Sequence, residues 1–319
     1  MPYQGSKSQI AEEVVAHLPA CDNLYDLFCG GCAITHCALE SNKFKKIYAN
    51  DLNHIMPKLF KRCITGDIKN ETRWISREDF EKLKCEDGYV ACCFSFGNNT
   101  MTYCYARELE PWKKALHYAR VFKDFSLFKE MGIETDGTRL DIKNNQDEYK
   151  TKYIKWYSEH FGGGIERIKK TESLQRLQSL QSLESLQRLE RLQRLQSLQS
   201  LQSLELSSKD YAEVEIKPNS VVFCDIPYED TGKYRQVGRF NYQRFYDWAS
   251  NQKELVIISS YKLSDDRFER IVSFNKRALM DVKHIAKENS IKEEGLFIPK
   301  HQRKLYEERI REDGCVLFF

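Results

Sequence analysis

The strongest constraint on the fold comes from residues 221–228, which read Val-Val-Phe-Cys-Asp-Ile-Pro-Tyr. Valine and phenylalanine favour a buried strand, and Pro227 cannot continue a sheet ladder because it lacks an amide hydrogen. The chain must therefore leave the sheet just after Asp225. Ligands of open α/β sheets bind outside the carboxyl ends of the strands, so Asp225 and Tyr228 are candidate site residues. A strand that merely stops at proline, with Tyr228 as cover, explains the same residues equally well.

A glycine turn near the N-terminus predicts a second part of the site. Residues 23–39 read as a strand, a turn containing Gly30, and a helix whose start offers free amides. A second strand, residues 47–51, ends in Asp51, roughly twenty residues after the turn. A carboxylate at that place can hydrogen-bond the ribose of a nucleoside. The two features together predict a nucleoside-binding half.

Composition sets wider limits. The chain has 319 residues, enough for one large α/β domain and a smaller one. No stretch is apolar enough to cross a membrane, and the N-terminus lacks the apolar core of a signal peptide, so we expect a cytoplasmic protein. The 11 cysteines are then thiols rather than a disulfide framework. A net charge of +3 means that any nucleic-acid site must be a local patch.

Basic and aromatic residues alternate through residues 100–170, and a second such stretch follows Tyr228. This texture suits phosphate contacts and base stacking, although a solvated helical face explains it equally well. The basic residues chosen as candidate nucleic-acid contacts are Lys113, Lys114, Arg120, Lys233, Arg235 and Arg239.

A leucine recurs at every third residue from 174 to 204. Because the α-helix repeats every 3.6 residues, the leucine stripe of a helix with this sequence would spiral around its axis. No straight face could bury the whole stripe. The composition favours helix, and repetition of a short unit is typical of a low-complexity insertion. We therefore interpret residues 171–203 as a spacer.

Four motifs in this order resemble the Dam-type (D12 class) adenine-N6 DNA methyltransferases, and we expect a member of phage or mobile-element type: Tyr3-x-Gly5-Ser6-Lys7, Asp26-Leu-Phe28-Cys-Gly30-Gly31, Asp51, and Asp225-Ile-Pro-Tyr228. The resemblance implies an α/β, Rossmann-like S-adenosylmethionine-dependent methyltransferase sheet. The catalytic domain would comprise residues 1–100 and 204–319, with a mainly helical target-recognition insert at 101–170.

The resemblance also implies roles for individual residues. Asp225 and the Ile226 carbonyl would accept hydrogens from the adenine amine, Pro227 would complete the motif, and Tyr228 would stack on the flipped base. The implied partner is double-stranded DNA, and we expect a monomer without a metal or an obligate protein partner. The residues implied to bind S-adenosylmethionine are Tyr3, Gly5, Lys7, Asp26, Phe28, Gly30, Asp51, Asp210 and Tyr211.

Two departures from the family pattern leave alternatives open. Ile226 replaces the usual first proline, and Cys32 stands where a further glycine is common, so its Cβ would crowd a cofactor. A non-catalytic nucleic-acid-binding relative is therefore one alternative. A redox protein using Cys29 and Cys32, or a glycine-turn dehydrogenase, would leave Asp225 and Tyr228 unexplained.

Overall fold

The computed structural model of the chain describes residues 1–133, 155–156, 158–159, 184–194, 203–229, 240–275 and 293–313. They divide into two compact units. The first unit contains Met1, Gly5–Lys61 and Leu198–Phe319, and the second contains Pro2–Gln4 and Arg62–Ser197.

The strands of the first unit are β1 (Cys21–Asp26), β2 (Phe44–Asn50), β3 (Leu204–Ser207), β4 (Ser220–Cys224), β5 (Leu255–Ser260), β6 (Phe268–Asn275) and β7 (Glu293–Pro299). These seven described strands form one sheet in the order β3-β2-β1-β4-β5-β7-β6. Strands β1 to β5 pair in parallel, whereas β7 is antiparallel to both β5 and β6. The predicted Rossmann-like α/β fold is confirmed.

The α-helices are, in chain order, α1 (Ala11–Ala16), α2 (Ala33–Ser41), α3 (Ile55–Thr65), α4 (Arg77–Leu83), α5 (Gly88–Cys93), α6 (Glu110–Val121), α7 (Ser126–Glu130), α8 (Glu184–Arg194), α9 (Tyr242–Ser250) and α10 (Arg303–Glu312). In the described part of the chain, no helix combines the length and apolar character needed to cross a membrane.

Strand β4 lies in the middle of the sheet, between β1 and β5. Every residue of the strand is buried, as expected for a parallel strand covered on both faces. Val222 faces Tyr25 of β1 and Val256 of β5 in the register. The apolar run at 221–224 thus fixes β4 at the centre, and the chain leaves the sheet at Asp225 as predicted.

The second unit has a core of its own, in which Trp112 of α6 packs against Phe128 and Trp156. The sequence predicts that the N-terminal segment of the catalytic domain continues to about residue 100, and the corresponding segment of the first compact unit is Gly5–Lys61. The reason is that residues 62–100 contribute helices α4 and α5 and no strand to the described sheet.

Helix α8 falls within the leucine repeat, and the spacer interpretation does not hold for its residues. The side chains of Leu189 and Leu192 are buried in the second unit, Leu192 completely. Buried Arg188 donates hydrogen bonds to the carbonyl oxygens of Cys93 and Ser95, at 3.0 and 2.6 Å. Helix α8 thus packs against the end of α5. The rest of the repeat up to residue 202 lies outside the described residues.

The geometry of a helix explains how a period of three can be buried over a short length. At about 100° per residue, successive leucines step back by about 60° around the axis. Leu189 and Leu192 therefore fall on one face, which Ser185 and Arg188 complete; all four side chains are buried. The leucine stripe rotates around the helix axis too far for the whole repeat to be buried on one face, but over two turns this rotation is small enough for both leucines to be buried.

Candidate active site

The predicted site residues of the first unit meet at one edge of the sheet. Asp26 ends β1, Asp51 follows β2, and Asp225 follows β4. These three strands are parallel neighbours, so their carboxyl ends lie at the same edge. In the sheet order, β2 and β3 lie on one side of β1, whereas β4 and β5 lie on its other side, so the strand order reverses between β1 and β4. Ligands of open α/β sheets usually bind in the crevice at the carboxyl ends of the strands at such a reversal.

Lys7 connects Asp225 and Tyr228 to Glu294, a residue that sequence reasoning missed. Its ammonium lies 2.7 Å from Asp225 Oδ1 and 2.8 Å from Glu294 Oε1, and it also donates to the Tyr228 hydroxyl. The Tyr228 hydroxyl in turn donates to Glu294 Oε1 at 2.5 Å. The Lys7 side chain is only 4% exposed. Lys7, predicted on the cofactor side, therefore reaches the Asp225 carboxylate directly.

Opposing effects set the protonation of this cluster. Burial lowers the pKa of Lys7, but the carboxylates of Asp225 and Glu294 together raise it above its ordinary value. Burial, followed by Asp225 and Glu294, raises the pKa of Tyr228, so its phenol remains protonated at neutral pH. With both carboxylates ionised, the cluster contains one positive and two negative groups.

The glycine turn and Asp51 are joined by hydrogen bonds. The Gly30 amide donates to Asp51 Oδ2 at 2.7 Å, and the Asn53 amide donates to Oδ1 at 2.8 Å. Burial raises the pKa of Asp51, and these two amides partly offset the effect. Gly30 has a φ of 44°, in the left-handed region that glycine adopts without strain. The structure thus brings together the turn and the acid predicted for the nucleoside.

Asp26, predicted to bind the cofactor, is buried and contacts the helix that follows the glycine turn. It is 1% exposed and accepts a hydrogen bond from the Thr35 hydroxyl at 2.6 Å. Burial raises the pKa of Asp26 to about 7. Because Thr35 belongs to α2, this bond ties the end of β1 to the helix that follows the turn.

Cys32 occupies the N-cap of α2 with φ 54° and ψ 35°, a left-handed conformation in which glycine would be unstrained. Its side chain is fully buried, with Sγ 3.6 Å from that of Cys29. The hydrogen bond from Cys32, followed by burial, raises the pKa of Cys29. A buried thiol with a raised pKa is the opposite of what a redox-active pair requires.

Aromatic rings line the other side of the turn. The Phe28 and Tyr211 ring centroids are 5.5 Å apart, within a cluster that includes Phe245. Asp210 forms a two-point ion pair with Arg244, both contacts 2.9 Å, and this pairing lowers the pKa of Asp210. The Tyr211 hydroxyl is buried without a hydrogen-bond partner among the described residues.

The remaining predicted residues give a mixed result. Lys113 is 2% exposed, with its ammonium 5.5 Å from the Tyr105 ring centroid. Its helix neighbour Lys114 and Arg120 are half-buried. Tyr3 is a half-buried residue of the second unit, whereas Gly5 belongs to the first unit and has a φ of 82°. Three predicted contacts lie outside the described residues: Lys233, Arg235 and Arg239.

Glu294 was missed because Glu293 and Lys292 precede it, and a charged run predicts a solvated surface. The available signal was the apolar Leu-Phe-Ile stretch at residues 296–298, which predicts a strand here; in β7 every residue from Glu294 to Pro299 is buried. Among the described residues, no cluster of His, Cys, Asp and Glu could hold a metal ion.

The family model of the D12 class N6 adenine-specific DNA methyltransferases matches residues 3–297, which is nearly the whole chain. No curated protein matches the chain.

Proposed function

Because the chain belongs to the D12 class of N6 adenine-specific DNA methyltransferases, we propose that it methylates the N6 amine of adenine in double-stranded DNA with S-adenosylmethionine as donor. The observation that supports this most is the position of Asp225. Its carboxylate lies at the carboxyl end of the central strand, next to the Tyr228 ring and within 2.7 Å of Lys7.

Methylation of the adenine amine requires hydrogen-bond acceptors for the two amine hydrogens more than it requires a base that removes a proton beforehand. The amine of adenine is a poor nucleophile because its lone pair is conjugated into the ring. Asp225 and the Ile226 carbonyl would accept its two hydrogens and favour a pyramidal nitrogen facing the methyl group. Ile226 contributes a backbone atom, so its replacement of the usual proline is compatible with this role. Tyr228 would stack on the adenine after it leaves the duplex.

Several features of the first unit support a site for S-adenosylmethionine, which when bound supplies an electrophilic methyl group. Asp51 is held at the turn by two amides and would bind the ribose. Phe28 and Tyr211 present rings for the adenine, and the buried Tyr211 hydroxyl is a polar atom to which a ligand could bond. The left-handed Gly30 lets the backbone approach the ligand closely.

We further propose that the second unit recognises DNA and that Lys114 and Arg120 contact phosphates, as do the three predicted basic residues at 233–239. A cytoplasmic monomer remains our expectation. The basic patch is local because the net charge is only +3.

The test is transfer of a labelled methyl group from S-adenosylmethionine to duplex DNA, followed by mapping of N6-methyladenine at single-base resolution. We expect the wild-type protein to be active and Asp225→Ala to be inactive but folded, because a partly exposed residue outside the strand contributes little packing. Near-normal turnover of Asp225→Ala would show that the active site is misplaced. DNA binding without any methyl transfer would favour the non-catalytic relative.

A further inference from the structure

Glu294 is a fully buried charged residue at the active-site edge. It is the second residue of β7, and its successor Gly295 pairs with Ser260 at the end of β5. Its side chain has no exposed surface. A carboxylate is seldom buried in this way unless it is paired, since leaving water costs several kcal/mol. The partners of Glu294 therefore indicate what it does.

One oxygen of Glu294 receives three donors from the catalytic cluster. Oε1 lies 2.8 Å from the Lys7 ammonium, and it accepts hydrogen bonds from the Tyr228 hydroxyl at 2.5 Å and the Ser259 hydroxyl at 2.9 Å. Glu294 thus joins a rigid strand to Lys7 and to the tyrosine of the catalytic motif. The contact with Ser259 fixes the carboxylate against the neighbouring strand.

We propose that Glu294 is a positioning residue for methyl transfer, which shares the Lys7 ammonium with Asp225 and so keeps the Asp225 carboxylate available to the adenine amine. This inference rests on the proposed function. If Lys7 faced Asp225 alone, the two would form a neutral pair, and the ammonium would compete with the amine for the carboxylate oxygens. With Glu294 as a second partner, the Lys7 ammonium divides its contacts between two carboxyl groups, at 2.7 Å from Asp225 Oδ1 and 2.8 Å from Glu294 Oε1, and Asp225 is not its sole acceptor. The same contacts hold the Tyr228 hydroxyl, and hence the ring that would cover the base.

The alternative is that Glu294 merely stabilises the fold by neutralising buried Lys7. The two roles differ in what they change. A structural residue affects thermal stability and leaves the folded enzyme with normal kinetics. A positioning residue changes kcat in the folded enzyme and shifts the pH dependence of kcat, because it is one of the groups that set the pKa of Lys7. The titratable groups that face Lys7 are Asp225, Glu294, Tyr228 and Tyr261.

The experiment compares Glu294→Gln with Glu293→Gln in the full-length protein. Glu293 is the adjacent acid, half exposed and paired with Arg270 on the outside of the strand, so it is the matched control. We expect Glu294→Gln to lower kcat about 10- to 100-fold, the usual cost of misplacing a catalytic group, with KM for S-adenosylmethionine and DNA within about threefold. Any fall in activity that accompanies loss of the Lys7 proton at high pH should occur at lower pH in Glu294→Gln than in the wild type, because one of the two carboxylates that raise the pKa of Lys7 is lost. Glu293→Gln should match the wild type.

Glu294→Asp keeps the charge with a shorter side chain and should recover part of the kcat lost in Glu294→Gln. If Glu294→Gln does not fold, Glu294→Asp provides the test, with a reduced kcat expected in a protein that still binds S-adenosylmethionine by calorimetry. Wild-type kcat in a folded Glu294 variant would overturn the proposal, as would a loss of activity explained by weaker cofactor binding. A wild-type protein without methyl transfer would instead overturn the proposed function.

Discussion

Replacing Leu192 by Ala tests whether helix α8 is part of the folded second unit. Leu192 is fully buried although it belongs to a repeat with the composition of a spacer. Truncating a buried leucine removes its transfer free energy and leaves a cavity, which together cost about 2–5 kcal/mol. Because the side chain has no exposure, we expect about 3 kcal/mol, near the middle of that range. The matched control is Arg191→Ala, one residue away on the exposed face, with an expected change below about 0.5 kcal/mol.

Urea denaturation followed by circular dichroism measures the difference. A loss of about 3 kcal/mol corresponds to a midpoint lower by roughly 1–3 M urea, given the usual slopes. Hydrogen exchange locates the effect, since amides of α5 should exchange faster in Leu192→Ala than in the control. Equal and small changes in both variants would refute the packing of α8 and restore the spacer interpretation.

Two further predictions concern the cofactor turn. Asp51→Ala should weaken S-adenosylmethionine binding by about 1–3 kcal/mol, the value of a hydrogen bond to a charged acceptor, and unchanged affinity in calorimetry would remove the ribose assignment. Asp26→Asn should gain stability relative to the wild type as pH rises from about 4 to about 7, and the difference should level off above 7: burial raises the pKa of Asp26 to about 7, so between these values the unfolded chain releases the Asp26 proton while the folded protein still holds it. Melting temperatures of both proteins across this range provide the measurement, and a constant difference would contradict the assigned cause.

The parts of the site that the sequence predicted depend on local chemistry. Pro227 ends a buried strand and so places Asp225 at the sheet edge, while the glycine turn and Asp51 follow from strand, turn and spacing. For Glu294 the sequence indicates only the strand, from the apolar residues that follow it; its burial and its role depend on β7 pairing with β5 and on Lys7, which is far away in sequence. The burial of α8 was missed for a related reason. It depends on four residues of one helix face packing within the second unit, whereas the spacer interpretation rested on the leucine pattern over the whole repeat.

The repeat also has a consequence for how the gene can change. The buried face of α8 is written Ser-x-x-Arg-Leu-x-x-Leu at residues 185–192, and the same string occurs at residues 173–180. If replication slippage removed residues 189–191, the present Leu192 and Leu195 would take the places of Leu189 and Leu192 in the shortened chain. The buried face would then consist of the same residue types as before. Loss of two residues would instead turn arginines inward. Because of the repetition, the sequence can lose a whole three-residue unit and still present the same four residue types on the buried face of α8.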